Sequence, residues 1–187
     1  MSEIDDVFKS TEQRMHKAIG ATRHDFASVR TGRASPALLD RLVVEAYGAS
    51  TPLKSVATVS TPDARTLQIA AFDRSTVGAI RKAIETSDLG LSPNIDGSTI
   101  RLMIPPLTED RRKDLVKVIK KKAEDGKVAI RNIRHKSVDE LKALLKDGDV
   151  TEDENKRAAE RIQKMTDAHI KDVDALVSSK EKEIMEV

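Results

Sequence analysis

The chain has 187 residues and a net charge of +2, and it contains no cysteine, which excludes disulfides and thiolate chemistry. Only 2% of its residues are aromatic and 39% are hydrophobic, so its core must consist mainly of Leu, Ile, Val and Ala, a composition typical of helical bundles. No apolar run reaches membrane-spanning length, and the acidic N-terminus is unlike a signal peptide, so we expect a cytoplasmic protein without membrane contact.

A first helix is predicted for residues 2–30. Ser2 can cap its start, and acidic residues follow in the first turn, where the helix dipole favours them. Apolar or small side chains recur at steps of three or four, which predicts one buried stripe. The stripe consists of Ile4, Phe8, Thr11, Met15, Ala18, Thr22, Phe26 and Val29.

The helical period stops at residues 31–36, where Gly32 and Pro36 indicate a boundary. Four strands are then predicted in segments rich in β-branched residues and separated by turns: 41–47, 56–61, 66–72 and 98–104. A short helix is predicted for residues 74–86, with Val77, Ile80 and Ile84 facing inward. Residues 89–97 are expected to form a loop that includes a short strand.

A long helix is predicted for residues 108–146, about 60 Å in length at 1.5 Å per residue. Thr108 can cap its start, and Gly148 can end it. Its apolar stripe consists of Leu115, Ile119, Ala123, Gly126, Ile130, Ile133, Leu141 and Leu145. Beside it lies a basic stripe, about 100–200° away around the helix, of Lys113, Lys117, Lys120, Lys127, Arg131 and Arg134.

The last helix is predicted to begin at Thr151, because Thr151 and Glu154 form a capping-box pattern. Its apolar stripe consists of Ile162, Met165, His169, Val173, Leu176, Val177 and Ile184. The turn at residues 147–150 is so short that the long helix and the last helix must be antiparallel.

These elements predict an α+β protein in two domains. A discontinuous three-helix bundle comprises residues 1–30 and 106–187, and a small β/α/β domain of residues 31–105 is inserted into it. Because the insert leaves and returns at one place, we expect the first helix to run antiparallel to the long one. The two linkers would form a two-stranded hinge that permits domain motion.

No catalytic constellation stands out. The four histidines show no HExxH spacing, and no phosphate-binding glycine loop is present, so we expect neither a metal site nor an enzyme. His169 falls on an apolar stripe and is expected to be a packed, hydrogen-bonded side chain. An enzyme with a site in the small domain is kept as an alternative.

The charge is strongly segregated along the chain. Residues 111–136 carry eleven Lys or Arg against three acids, a net charge of +8, so the rest of the chain carries −6. Lys127, Arg131 and Arg134 project from one helix face over about 10 Å, a spacing that suits successive phosphates, and His135 extends the run. Because aromatic stacking platforms are scarce, the pattern favours folded RNA over single strands.

Two other interpretations of the basic stripe remain open. In the first, Lys127, Arg131 and Arg134 pair with acids of the neighbouring last helix. Those acids would be Glu160, Asp167 and Asp174. In the second, the protein is a non-catalytic helical adaptor whose long helix binds an acidic protein surface; RNA binding would differ from it by a steep salt dependence.

Five segments resemble the ribosome recycling factor family, in order and over the whole chain. They are RTGRASPALLD (30–40), DARTL (63–67), SDLGLSPN (87–94), PPLTEDRRK (105–113) and IRNIR (130–134). His135 departs from the family pattern, which often has a further arginine there. The resemblance implies an L-shaped protein in which the helix bundle forms the long arm.

The resemblance also implies a function. Such factors bind the subunit interface of a bacterial-type ribosome after termination, against large-subunit ribosomal RNA, and split it together with elongation factor G and GTP. The GTP is hydrolysed by that partner, so no cofactor is expected, and we expect a monomer that binds no DNA. The RNA contacts implied by the resemblance are Arg131, Arg134, Arg30 and Asn132; the basic stripe adds Lys127 and His135 as candidates. The implied hinge residues are Thr31, Gly32, Arg33, Ser35, Pro36, Pro105 and Pro106.

Overall fold

The computed structural model describes residues 2–186, which divide into two compact units. One unit consists of residues 2–30 and 110–186, and the other of residues 31–109. The second segment of the bundle was predicted to begin at residue 106, but it begins at residue 110. Leu107 explains the difference, because its side chain packs against Gly32 within the small unit.

The chain forms five helices and six strands within the described residues. The helices are α1 (Glu3–Ala27), α2 (Leu53–Val56), α3 (Val77–Thr86), α4 (Glu109–Asp147) and α5 (Glu152–Met185). The strands are β1 (Val43–Ala46), β2 (Ala49–Pro52), β3 (Ala57–Asp63), β4 (Thr66–Ala71), β5 (Pro93–Asp96) and β6 (Thr99–Met103). None of the helices in residues 2–186 is both long and apolar enough to cross a bilayer. These elements confirm the predicted α+β class.

Local capping signals determine where the bundle helices begin. Thr151 and Glu154 form the predicted capping box at the start of α5, and Ser2 forms a second one with Asp5 at the start of α1. The end of α1 lies at Ala27, three residues before the predicted end. Its stripe is also corrected, since Ile19 is buried where Ala18 was predicted.

Contacts between the helices define their directions. Thr11 and Ser137 are hydrogen-bonded, and Thr22 lies against Gly126, so α1 runs antiparallel to α4 as predicted. Residues 8 and 16 of α1 contact residues 161 and 169 of α5, so these two helices are parallel. The predicted gap in the α4 stripe is filled by Ser137, which is fully buried.

The six strands of the small unit form two sheets. The four predicted strands and the short strand expected within residues 89–97 are present, and β2 is an additional strand. β1 and β2 form an antiparallel hairpin, and the other strands form an antiparallel sheet in the order β3-β4-β6-β5. Helix α3 turns Val77, Ile80 and Ile84 into the core, as predicted. On the sheet, the core residues are paired across β4 and β6: Leu67 with Leu102 and Ile69 with Ile100.

Both linkers are bound to one turn of the small unit. Ala34 N–H donates to the carbonyl of Ala64, and Ile104 N–H donates to the carbonyl of Arg65. These two carbonyls belong to neighbouring residues in the turn between β3 and β4. The two linkers are therefore held side by side, as the predicted topology requires.

Candidate RNA interface on the long helix

Three of the predicted RNA contacts lie on one surface of α4. We define the basic flank as Lys127, Arg131 and Arg134. Because residues on an α-helix are about 100° apart, these side chains fall within about 60° of the helix circumference. Lys127 and Arg134 also contact α5, so the flank borders that helix rather than facing away from the bundle.

Lys127 is the member of the basic flank that pairs with an acid of the neighbouring helix. Its ammonium group forms an ion pair with Asp174 of α5, and only 20% of its side chain is exposed. The interpretation in which basic residues pair with acids of the neighbouring helix is therefore right for Lys127. Its charge is largely compensated within the bundle, which leaves the two arginines as the more available cations.

Arg134 contacts α5 through an amide. Its Nη1 donates to Oε1 of Gln163 at 3.0 Å, and Gln163 in turn donates to Asp167 at 2.9 Å. Its Nη2 lies 3.1 Å from Nε2 of His135. Since a guanidinium can only donate, that ring nitrogen must accept. Arg134 thus has two partners, an amide side chain of α5 and the ring of its neighbour on α4.

Arg131 contacts an acid on its own helix. Its Nη1 lies 2.8 Å from Oε1 of Glu124, and the two side chains are 43% and 57% exposed. The hydrogen bond from Arg131 lowers the pKa of Glu124 below its usual value. Because an exposed ion pair contributes little to stability, the guanidinium can exchange this partner readily.

Two predicted contacts do not join the basic flank. Asn132 is exposed but follows Arg131 directly, so it points about 100° further around the helix. Arg30 lies beyond the end of α1, and the Thr11–Ser137 and Thr22–Gly126 contacts place that end, Ala27, at the level of residue 121 of α4. That level is about 15 Å along the axis from Arg131.

Sequence reasoning missed Glu124 and Gln163, for different reasons. Glu124 precedes Arg131 by seven residues, and this spacing places both on nearly the same side of a helix, so it could have been found. To predict that Gln163 contacts Arg134, one must know how α4 and α5 are aligned in their hairpin. The turn at 147–151 lies nearly midway along the sequence between the partners of both contacts, Lys127–Asp174 and Arg134–Gln163. Counting outward from the turn would therefore have placed Gln163 opposite Arg134.

The predicted hinge residues are partly built into the small unit. Thr31 and Gly32 are buried, whereas Arg33, Pro105 and Pro106 are exposed. Gly32 has a φ of 77°, which a side chain would disfavour. Ser35 accepts a hydrogen bond from the backbone of Ala37, and Pro36 begins a short 3-10 turn there.

The buried histidine of α5 is accounted for by packing. His169 is only 6% exposed, and its Nδ1 lies 2.8 Å from the carbonyl of Met165, as expected for a hydrogen-bonded core residue. Its ring packs edge-on against that of His16, with centroids 5.0 Å apart. Across residues 2–186, no three His, Asp or Glu side chains are grouped in a way that could hold a metal ion.

The sequence matches a known family model and many known proteins. The model described as "Ribosome recycling factor" matches residues 22–185. The ribosome-recycling factor of Thermosynechococcus vestitus is 58% identical over 176 residues, which cover 94% of this chain and 97% of the relative. That of Halalkalibacterium halodurans is 53% identical over 182 residues, which cover 97% and 98%.

Solved structures agree with these sequence relatives. A solution structure of a ribosome recycling factor is 41% identical, with a TM-score of 0.75 and full coverage of both chains. A Thermus thermophilus factor, described as bound with Escherichia coli elongation factor G to the E. coli post-termination complex, is 48% identical, with a TM-score of 0.64. It covers 99% of this chain and 100% of its own. This chain therefore belongs to the ribosome recycling factor family.

Proposed function

We propose that this protein acts with elongation factor G and GTP to split post-termination ribosomes into subunits for a further round of translation. The observation that carries the proposal is the full-length relationship to ribosome-recycling factors at 53–58% identity. A related factor described as bound with elongation factor G to a post-termination complex supports the same partners. The protein would act in the cytoplasm as a monomer, and GTP would be hydrolysed by elongation factor G.

In this proposal the basic flank binds large-subunit ribosomal RNA. Arg131 and Arg134 are the main contacts, because each exposes guanidinium donors and neither is buried. Guanidinium groups bind phosphate oxygens with two parallel hydrogen bonds, which favours arginine over lysine here. Lys127 contributes less direct contact because Asp174 already pairs with it. His135 would assist by orienting Arg134 through its ring nitrogen.

The helix bundle and the linkers would have separate tasks. α4 has 39 residues and is supported along its length by α1 and α5, so it can transmit force from one end to the other. The chain passes between the two units twice, at 30–31 and at 109–110. Rotation at these crossings would let the small unit respond to elongation factor G while the bundle stays on the RNA, a hinge change rather than catalysis.

The decisive experiment is a splitting assay. The purified protein, elongation factor G and GTP are added to post-termination ribosomes, and light scattering follows the conversion of 70S particles into subunits. We expect scattering to fall only when all three components are present. No fall with the complete mixture, under conditions in which a known recycling factor is active, would refute the proposed function.

The RNA contact is tested by substitution. Arg134→Ala should weaken ribosome binding by about 1–3 kcal/mol, or roughly 5- to 150-fold, if the contact is charge-assisted and desolvated. Lys142→Ala is the matched control, because it removes one positive charge from the same helix at a site paired with Asp139. Equal affinities of the two variants at moderate salt would show that the flank does not bind the RNA.

A further inference from the structure

The Glu124–Arg131 ion pair lies along the axis of α4. Seven residues separate the two, so their backbones are about 10 Å apart along the helix. To reach Oε1 of Glu124 at 2.8 Å, the side chain of Arg131 must extend back along the helix surface. In this position its Nη1 is directed toward a carboxylate of the same helix instead of outward.

The carboxylate of Glu124 occupies the place that a phosphate oxygen would take. Carboxylate and phosphate oxygens are both bound by the same donor edges of a guanidinium. Glu124 is also close enough to Lys127 and Asp174 for their charges to act on it, so it belongs to a network of two cations and two anions. An incoming phosphate must therefore compete with Glu124 for Arg131.

We propose that Glu124 is a built-in competitor of RNA phosphates for Arg131. The inference rests on the proposed RNA contact of Arg131. Any polyanion whose phosphate binds Arg131 must first displace Glu124 and loses affinity by that cost. Because the cost is the same for every such ligand, Glu124 lowers the affinity for RNA at this position without choosing between RNAs.

The probe for the test is a fluorescently labelled 20-base-pair RNA duplex of arbitrary sequence, which presents phosphates without the ribosomal site. Its affinity is measured by anisotropy at one fixed salt concentration. Glu124→Gln should bind it tighter than the unmodified protein, by up to about fivefold, the upper end that the loss of an exposed ion pair allows. Its affinity for post-termination ribosomes should rise by a similar factor, because the same ion pair is broken there.

Asp139→Asn provides the matched control. It also removes one negative charge from an exposed ion pair of α4, with Lys142, but lies away from Arg131. We expect a gain in duplex affinity clearly smaller than that of Glu124→Gln. Equal gains would overturn the proposal, because they would show that only net charge matters. Circular dichroism verifies that both variants remain helical.

A double-mutant cycle separates this proposal from the proposed function. In an Arg131→Ala background, Glu124→Gln should no longer increase duplex affinity beyond the control; a persisting gain would overturn the competitor role. If Arg131→Ala weakens ribosome binding while Glu124→Gln equals Asp139→Asn, only the competitor role fails. If Arg131→Ala leaves ribosome binding unchanged, the RNA contact itself fails, and the competitor role fails with it.

Discussion

The hydroxyl oxygens of Thr11 and Ser137 lie 2.6 Å apart in the core of the bundle, and both side chains are fully buried. Thr11 donates its own hydrogen to the carbonyl of Val7 at 2.6 Å, so Ser137 must be the donor to Thr11. The bond connects α1 with α4 across 126 residues of sequence. A pair of this kind favours one register of the two helices, because any slip would leave a buried hydroxyl without its partner.

Ser137→Ala should therefore destabilise the protein by about 1 kcal/mol, the usual contribution of an intramolecular hydrogen bond. Thr11→Val should also destabilise it, because the Ser137 hydroxyl loses its acceptor. The double variant should cost less than the sum of the two, by at least about 0.5 kcal/mol. Urea unfolding measures the free energy of unfolding of the two single variants and the double variant. Ser178→Ala, at an exposed position on α5, is the control. Additive losses would mean that the hydroxyls do not interact.

Gly126→Ala should destabilise the bundle although alanine favours helices. A Cβ on Gly126 would clash with Oγ1 of Thr22, so α1 would be forced away from α4. We expect a loss of about 1–3 kcal/mol from overpacking, reduced by the gain of about 1 kcal/mol in helix propensity.

Gly20→Ala is the control for this prediction. Gly20 lies on α1 with nothing within 4 Å of its added Cβ, so the substitution should stabilise the protein by about 0.5–1 kcal/mol. Adding Thr22→Ala to Gly126→Ala should restore part of the loss, since it removes the atom that clashes. Thermal unfolding would contradict this account if Gly126→Ala and Gly20→Ala shifted the Tm in the same direction.

Gly32→Ala should impair recycling more than ribosome binding. It places a side chain at a φ of 77° and within 2.9 Å of Cγ of Leu107, so one linker must shift relative to the other. Binding by the basic flank does not depend on this contact. Subunit splitting and ribosome binding are measured in parallel. Gly90→Ala has a similar positive φ but open space around it, and it should leave splitting intact. Equal loss of both activities in Gly32→Ala would argue against a separate hinge role.

Tyr47 offers a clean spectroscopic prediction, because it is the only tyrosine and tryptophan is absent. Its hydroxyl donates to Asp73 at 2.9 Å, and this bond raises the pKa of Tyr47 above its usual 10.0. Titration of the tyrosinate absorbance should therefore show ionisation at higher pH than in the unfolded chain. Asp73→Asn should lower the pKa, whereas Asp63→Asn, elsewhere in the small unit, should not. A pKa unaffected by Asp73→Asn would contradict the assignment.

Tyr47 and Asp73 make the free energy of unfolding depend on pH, Tyr47 at high pH and Asp73 at low pH. Because the pKa of Tyr47 is raised, its contribution is complete below the unfolded pKa and is lost as pH rises through the folded value. Asp73 has a lowered pKa, mainly because Ser75 donates to it. The contribution of Asp73 to stability is present above about pH 3.8, the usual pKa of an aspartate, and is lost as the pH falls through the lower pKa of the folded state.

Local signals made the helices predictable. Thr151 and Glu154 form a capping box from four consecutive residues, so the start of α5 could be read directly. Strand β2 was missed because it has only four residues, ASTP, without an apolar alternation. Its pairing with β1 depends on the tight turn at Tyr47 and Gly48, both with positive φ, and tyrosine is an unusual residue in that conformation.

The basic residues of the candidate site could be predicted from the sequence, but the side chains that they contact within the protein could be predicted less well. Helical spacing alone placed Lys127, Arg131 and Arg134 on one flank. Which acid each would meet depends on the packing of α4 against α5 and on side-chain rotamers. For that reason Arg131 was expected to pair across to α5 or to remain free for RNA, whereas its carboxylate comes from the preceding turns of its own helix.

The discontinuous bundle has a consequence for synthesis of the chain. Helix α1 is made first, but α4 begins about 80 residues later. At the usual elongation rate of about 5–20 residues per second, α1 waits roughly 4–16 s for its partner. An isolated helix is marginally stable in water, and this one carries an unburied apolar stripe during that interval. The nascent N-terminal segment therefore keeps apolar surface in water during that interval, and the bundle can close only after α5 has also been synthesised.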